Sequence, residues 1–218
     1  MKVVLLDFNG TLFFDSGFHR EAWGKIYREL HENSDNEPDP SSYCGPRNDI
    51  IIQNMAPWLT KEERDKVSCH KEALYRRICK ENPHQVRLVH GALEFLDEMK
   101  ERNVPFILAS ASIKDNIDFY FETFGLDRWL NKEDCVYDDG SYANKGEMHR
   151  EAAKRLKAEM ENCLVIEDSV SAIAHAKEAG AGCIVAIGDG KNKEKLMELG
   201  ADYYITDFTE FDFSWLED

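Results

Sequence analysis

The amino-acid sequence predicts an α/β protein, a Rossmann-like, doubly wound parallel sheet with an inserted all-helical cap domain. Short apolar runs rich in β-branched residues alternate with stretches of helical period, which is typical of a parallel sheet covered by helices on both faces. One early segment interrupts this alternation. A chain of 218 residues is long enough for one substantial core and a smaller second one.

Five apolar runs are predicted as buried strands. They are residues 3–6, 105–109, 163–166, 182–187 and 203–205. The helices predicted between and after them are residues 92–102, 113–124, 145–156, 169–179 and 193–199. Glycines follow several of these helices and suit their C-terminal ends. The order of the strands in the sheet cannot be deduced from these patterns.

The interrupting segment, residues 15–85, has helical periodicity and no convincing buried strand. Its predicted helices are residues 17–32, 48–55 and 61–80. The expected domains are therefore an α/β core of residues 1–14 and 86–218 and a cap of residues 15–85. Open α/β sheets bind ligands beyond the carboxyl ends of their strands, so an insertion directly after the first strand is expected to act as a lid.

The overall charge limits the possible partners. A formal charge of −15 would repel nucleic acid and anionic membranes over most of the surface, so neither is an expected partner. An anionic substrate would need a local group of cations or a metal. The absence of a long apolar run and of paired cysteines predicts a cytoplasmic protein with reduced thiols, and a monomer is favoured.

Acidic side chains stand at the ends of two predicted strands. Asp7 ends the first strand, before an Asn-Gly turn, and a strand-end turn carboxylate is the simpler interpretation of this residue taken alone. Glu167 and Asp168 end a later strand in the run LVIEDS. Carboxylates brought together at one edge of a sheet are the hard oxygen ligands that Mg²⁺ requires.

Two further sites carry groups that bind anions. The run FILASAS ends a strand with Ser110 and Ser112, beside backbone N–H groups that precede a helix. Serines at such positions also serve simply as helix caps. Lys145 opens a helix after the loop YDDGSYAN, although a solitary lysine is usually a solvated surface residue.

These four segments, LLDFNGT, ILASAS, Lys145 and VIEDS, occur in the order of the motifs of the haloacid dehalogenase superfamily, which the chain resembles over nearly its whole length. The closest resemblance is to the β-phosphoglucomutase-like subgroup, whose members carry a helical C1-type cap after the first motif. The cap segments FHREAW, GPRND and KEALY are similar to that subgroup as well.

The resemblance implies a Mg²⁺-dependent phosphoryl transfer from a small phosphorylated metabolite, such as a sugar phosphate. Asp7 would attack phosphorus and form an aspartyl-phosphate. Lys145 would screen the accumulated negative charge. The implied metal ligands are Asp7, the backbone carbonyl of Asn9 and Asp168, with Glu167 nearby. The implied substrate contacts are Ser110, Ala111, Ser112, His19, Gly45, Arg47 and Asn48.

Asn9 departs from the family pattern, which has an aspartate at this position as the general acid and base. An amide cannot exchange that proton, and general acid–base catalysis is worth about 10²- to 10⁴-fold, so weakened turnover is expected. His19 and Tyr75 are candidates to replace the missing group, although a packing role for His19 is the simpler alternative. Gly146 also departs from the pattern, because the family often has proline there.

Three alternatives stay open. The chain could bind a phosphorylated ligand without converting it. It could cleave the C–P bond of a phosphonate aldehyde, because the branch with that chemistry also lacks the second aspartate. That reaction needs a cap lysine that forms a Schiff base with the aldehyde. The candidates are Lys25, Lys61, Lys66 and Lys71. An aspartate replaced by engineering would give the same sequence.

Overall fold

The computed structural model describes residues 2–31, 38–43 and 47–217. The chain divides into two compact units, Met1–Phe14 with Leu88–Asp218, here called the α/β unit, and Asp15–Arg87, here called the helical unit. Gly45, predicted as a substrate contact, lies outside the described residues, as do residues 32–37.

The helical unit contains helices α1 (Ser16–Leu30), α2 (Asn48–Met55) and α3 (Lys61–Glu81). The start of α3 is fixed by a capping box, in which the Thr60 side chain accepts from the Glu63 backbone and the Glu63 side chain accepts from the Thr60 backbone. The apolar sides of the helices bury Trp23, Ile52 and Tyr75. All three predicted helices of this segment are confirmed, with bounds within two residues.

Within the described residues, the α/β unit has a sheet of six parallel strands in the order β3-β2-β1-β4-β5-β6. The strands are β1 (Val3–Leu6), β2 (Phe106–Ser110), β3 (Val136–Tyr137), β4 (Cys163–Glu167), β5 (Cys183–Ile187) and β6 (Tyr203–Ile205). The five predicted strands are confirmed. Strand β3 was not predicted, because two residues are too few to show a strand period.

Five helices complete this unit, and all of them were predicted to within one residue. They are α4 (Ala92–Glu101), α5 (Lys114–Phe124), α6 (Lys145–Arg155), α7 (Val170–Ala179) and α8 (Lys193–Glu198). Side chains of Asn144 and Ser169 cap the starts of α6 and α7 by accepting from backbone N–H groups three residues later. Asn144 directly precedes Lys145, and Ser169 directly follows Asp168, so the two caps fix the backbone at these predicted site residues.

The core of the α/β unit lies on both faces of the sheet. Leu5 and Val165 belong to one buried cluster with apolar residues of α6, α7 and α8. Their strand neighbours Val4, Leu6 and Ile166 point to the opposite face and are also fully buried. This explains why the strands appear in the sequence as continuous apolar runs rather than as alternating patterns.

The C-terminal stretch forms two short 3₁₀ helices, Phe208–Glu210 and Phe213–Leu216. The rings of Phe208 and Phe211 pack against Phe95 with centroids 4.8 and 4.7 Å away. None of the five cysteines within the described residues forms a disulfide. Among those residues, no helix combines the length and hydrophobicity that crossing a bilayer requires.

Candidate active site

The strand order places the predicted acidic residues side by side. The chain proceeds from β1 toward β2 and β3 on one side of the sheet and returns to β4 on the other, so β1 and β4 flank the switch point at which open α/β sheets bind ligands. Leu6 pairs with Ile166, and the Asp7 backbone N–H donates to the Ile166 carbonyl at 3.1 Å. Asp7 and Glu167 therefore leave neighbouring strand ends.

One lysine bridges these two carboxylates. Lys145, at the start of α6, donates from Nζ to Oδ1 of Asp7 and lies 3.0 Å from Oε1 of Glu167. Asp7 is 5% exposed and Glu167 is 1% exposed. The two acids thus share a single ammonium group in a buried region. When both acids are ionised, the three side chains together carry an excess negative charge.

The pKa values of the three groups show the same imbalance. Burial raises the pKa of Asp7 to about 7, and the neighbouring Glu167 charge adds to this while Lys145 opposes it. Burial also disfavours ionisation of Glu167, but Lys145 and His149 hold its pKa below the ordinary value. The pKa of Lys145 is raised by the two carboxylates despite its burial. A further cation would favour ionised Asp7.

A third acid completes a set that could hold such a cation. Asp7, Glu167 and Asp168 each offer a carboxylate oxygen, and these three atoms lie within 4.8 Å of one another. Hard oxygen donors with net negative charge suit Mg²⁺. The donor set and its unbalanced charge therefore fit a divalent cation.

Gly10 makes room for the Asp168 carboxylate. Its φ angle is +75°, and a Cβ added there would lie 2.1 Å from Oδ2 of Asp168. The turn after β1 is closed by hydrogen bonds from the N–H groups of Leu12 and Phe13 to the carbonyl of Phe8. Only glycine meets both the conformational and the spatial requirement at this position.

The side chain of Asn9 joins the loop that follows β2. Its Oδ1 accepts from Oγ of Ser112 at 2.6 Å, and Oγ of Ser110 lies at 3.4 Å. Its Nδ2 donates to the hydroxyl of Tyr120 at 2.7 Å, an amide orientation assigned from these partners. The predicted residues Asn9, Ser110 and Ser112 are thus brought together, with the exposed Ala111 between the two serines.

Tyr120, on α5, was missed by the sequence reading. Its ring stacks on Phe8 with centroids 4.1 Å apart, and its hydroxyl contacts Asn9. A tyrosine within an apolar helix face gives no sequence signal beyond core packing. Only the fold brings it beside a residue 111 positions earlier.

His149 was missed for the same reason. It lies on α6, is 1% exposed, and its Nε2 is 3.2 Å from Oε1 of Glu167. One turn of helix separates it from Lys145, so both side chains can reach the same carboxylate.

The predicted cap contacts belong to the helical unit, where two of them enter a buried polar network. His19 stacks on Tyr75 with centroids 4.0 Å apart, and its Nδ1 lies 2.8 Å from Nζ of Lys71. Asn48 donates from Nδ2 to Oε1 of Glu72 at 2.7 Å. Arg47 is exposed and pairs with Asp49 at 3.3 Å, outside this network.

The chain is similar to known proteins over most of its length. The model of the haloacid dehalogenase-like hydrolase family matches residues 1–180. A validoxylamine A 7'-phosphate phosphatase from Streptomyces hygroscopicus subsp. limoneus is 27% identical over 96% of this chain and 95% of that protein.

Solved structures extend the likeness to the whole fold. A family IA, variant 3 hydrolase from Entamoeba histolytica has a TM-score of 0.90 and 26% identity, covering 99% of this chain and 97% of that chain. A β-phosphoglucomutase from Clostridium difficile has a TM-score of 0.78 and 20% identity, covering 99% and 95%. The chain belongs to the haloacid dehalogenase-like hydrolases and has the fold of their β-phosphoglucomutase-like members.

Proposed function

We propose that this protein is a Mg²⁺-dependent phosphoryl-transfer enzyme, a phosphatase or phosphomutase-like enzyme acting on a small phosphorylated metabolite such as a sugar phosphate. The observation that carries the proposal is the single lysine shared by the two buried carboxylates of Asp7 and Glu167, with a carboxylate oxygen of Asp168 within 4.8 Å of theirs. The Streptomyces relative is named as a phosphatase of a phosphorylated small molecule, which supports the substrate class.

Asp7 is the proposed nucleophile. One carboxylate oxygen forms a bond to phosphorus while the bond from phosphorus to the leaving oxygen breaks, and water later hydrolyses the aspartyl-phosphate. Asp7, Asp168 and the carbonyl of Asn9 would hold Mg²⁺, with Glu167 nearby, and the bound ion would neutralise charge on the acids and on the phosphoryl group. The phosphoryl oxygens are held by Ser110 Oγ and the Ala111 N–H, with Ser112 beside them.

Lys145 has two roles in this scheme. It pairs with Asp7 before the reaction, and its charge stabilises the equatorial oxygens as the phosphoryl group moves. It cannot protonate the leaving oxygen without abandoning both carboxylates, whose charges raise its pKa.

Asn9 limits the reaction. The leaving oxygen needs a proton, and the attacking water must lose one, but a carboxamide supplies neither transfer. The contacts of Asn9 to Ser112 and Tyr120 also commit its two polar ends to the protein. The expected behaviour is slow turnover of ordinary sugar phosphates and a phosphoenzyme that decays slowly when Asp7 is loaded by an activated phosphoryl donor.

The test compares phosphate release by the unaltered protein and Asn9→Asp, with Mg²⁺, on sugar phosphates and p-nitrophenyl phosphate. The Asn9→Asp variant is expected to be faster by about 10²- to 10⁴-fold. A matched control, Asn192→Asp, changes the same group at the exposed start of α8 and is expected to have no effect. Equal, rapid release by the unaltered protein and Asn9→Asp would contradict this role of Asn9. Binding of phosphate esters without release by either would favour a ligand-binding protein.

C–P bond cleavage is the second candidate, and burial of one lysine favours it. Of its four candidate lysines, Lys71 alone is buried, at 2% exposure. Its Nζ is already engaged with Glu72 at 2.7 Å and with His19. Borohydride treatment with phosphonoacetaldehyde is expected to leave Lys71 unmodified, and a covalent adduct at Lys71 would replace the phosphatase proposal.

The remaining proposals concern organisation. We propose that the helical unit serves as the cap domain, with His19, Arg47 and Asn48 as its substrate contacts, and that the enzyme is a cytoplasmic monomer. The helical unit is inserted in the chain directly after the loop that carries Asp7 and Asn9, which supports the assignment as a cap.

A further inference from the structure

Both donors that approach Glu167 converge on one oxygen. Oε1 lies 3.0 Å from Nζ of Lys145 and 3.2 Å from Nε2 of His149. The two donors come from successive turns of the same face of α6. The carboxylate is therefore held against rotation by a single rigid element, and Oε2 is the oxygen that these two donors leave to other partners.

The partner defines the proton position on His149. An ionised carboxylate only accepts hydrogen bonds. Nε2 of His149 must therefore carry a proton and donate to Oε1 of Glu167. Nδ1 is buried and has no hydrogen-bond partner among the described residues. A doubly protonated ring would bury an unsatisfied N–H there. The neutral ring with its proton on Nε2 is the form that satisfies this site.

Close packing holds the helix that carries both donors. A Cβ at Gly146 would lie 3.1 Å from the carbonyl oxygen of His175 and 3.4 Å from its Cβ. The absence of a side chain at position 146 thus lets α6 approach α7, the helix that directly follows Asp168 and Ser169.

We propose that His149 is a positioning residue for the cation site, fixing the Glu167 carboxylate through Oε1 so that Oε2 is presented to Mg²⁺ or to a water bound to it. The inference rests on the proposed function, because it assumes that the acids hold a cation. Hydrogen-bond partners behind metal-ligating groups typically contribute about 10- to 100-fold to metal affinity. Such a role predicts an effect on the cation without substrate.

The test measures Mn²⁺ binding by electron paramagnetic resonance, with Mg²⁺ as competitor and no substrate present. His149→Leu, which has similar volume but no donor, is expected to bind Mn²⁺ about 10- to 100-fold more weakly. His149→Gln, whose amide can donate from a similar position, is expected to recover most of the affinity. Loss of affinity in both variants would instead indicate a steric role, and equal affinity in all three proteins would refute the proposal.

Two controls separate the possible failures. If the unaltered protein binds neither Mn²⁺ nor Mg²⁺, the proposed function itself is wrong, whereas unaffected binding by His149→Leu removes only the role of His149. If His149→Leu does not fold, the ¹⁵N spectrum of the histidine-labelled unaltered protein decides. A proton on Nε2 and signals that move on Mg²⁺ addition would support the proposal, and a proton on Nδ1 would overturn it.

Discussion

The two units of this protein each bury a cluster of charged side chains, and the clusters differ in their balance of charge. In the α/β unit, the acid cluster of Asp7, Lys145, Glu167 and Asp168 contains one lysine, which Asp7 and Glu167 share. In the helical unit, Glu72 pairs with Lys71 at 2.7 Å and also accepts from Asn48. Asp7 and Glu167 are buried, and so are Lys71 and Glu72, so burial does not distinguish these carboxylates.

The pKa values of one carboxyl group in each cluster, Asp7 and Glu72, move in opposite directions. Burial, aided by Glu167, raises the pKa of Asp7 to about 7. Burial opposes ionisation of Glu72 as well, but Lys71, His19 and Asn48 lower its pKa to about 2. The charges and hydrogen-bond donors around each carboxylate, set against its burial, decide the outcome. An acid cluster short of positive charge is suited to a metal, whereas the Lys71–Glu72 pair is already satisfied.

The largest effect is expected from removing the nucleophile of the acid cluster. Asp7→Asn should lower phosphate release on the order of 10⁴-fold or more, because an amide cannot form the phosphoenzyme. Asp212→Asn changes the same group at an exposed turn and should have no effect. Steady-state release and trapping of ³²P-labelled protein would measure this. Residual phosphoenzyme in Asp7→Asn would show that a residue other than Asp7 is the nucleophile.

Breaking the balanced pair should mainly affect stability. Lys71→Met leaves the Glu72 charge buried beside weaker donors and should lower the free energy of unfolding by about 3 kcal/mol. The double variant Lys71→Met/Glu72→Gln removes both charges and should recover more than half of that loss. Urea unfolding of the full chain would measure both. If the double variant is no more stable than Lys71→Met, lost packing rather than an unpaired charge is the cause.

A smaller effect is expected at the turn that accommodates Asp168. Gly10→Ala places a methyl group where the Asp168 carboxylate lies and should weaken Mg²⁺ binding by about 10-fold or more. Gly190→Ala is the matched control, because its φ is +89° but nothing lies within 4 Å of an added Cβ. Both variants carry the backbone strain, and only Gly10→Ala should affect the metal. Equal affinities by calorimetry would remove Asp168 from the ligand set.

With metal removed by a chelator, the free energy of unfolding should depend on pH in opposite directions for the two clusters. Both effects should be modest. Asp7 has a folded-state pKa of about 7 against an ordinary 3.8, so the folded protein binds more protons between these values. Its contribution to stability therefore falls as pH rises from about 4 to 7, by at most about 1.4 kcal/mol per pH unit. Asp7→Asn should flatten this slope in urea titrations at successive pH values. An unchanged slope would assign the proton to another group.

The contribution of the helical unit to stability should show the reverse pH dependence, and only at acidic pH. Glu72 has a pKa of about 2 in the folded protein against an ordinary 4.5, so the unfolded chain binds more protons between these values. Stability should therefore fall as pH drops below about 4.5, again by at most about 1.4 kcal/mol per pH unit. Glu72→Gln should reduce this acid loss. An equal acid loss in Glu72→Gln would show that other carboxylates cause it.

Much of the fold could be predicted because its signals are local. The strands β1, β4 and β5 are continuous apolar runs, and each long helix has its own period and end signals. The exceptions are informative. Strand β3 is too short to carry a period, and the strand order depends on which runs pair rather than on any one run.

The candidate site was predictable only in its main groups. Strand-end position identified Asp7, Glu167 and Asp168, and motif order identified Ser110 and Lys145. Tyr120 and His149 had no signal, since each lies on a helix whose inward face looks like ordinary core. Arg47 was chosen for its chemistry, but in the structure it is an exposed partner of Asp49.

The sequence by itself determined the α/β class, the helical insertion and the residue types available at each strand end, because these follow from patterns within short windows. Only the tertiary structure decided which of those residues meet. Lys145 reaches Asp7 across 138 positions, and Asn9 reaches Tyr120 across 111. Such contacts depend on strand order and helix packing. The surroundings of each buried carboxylate, its burial, neighbouring charges and donors, fix the sign of its pKa shift and are therefore a property of the folded molecule.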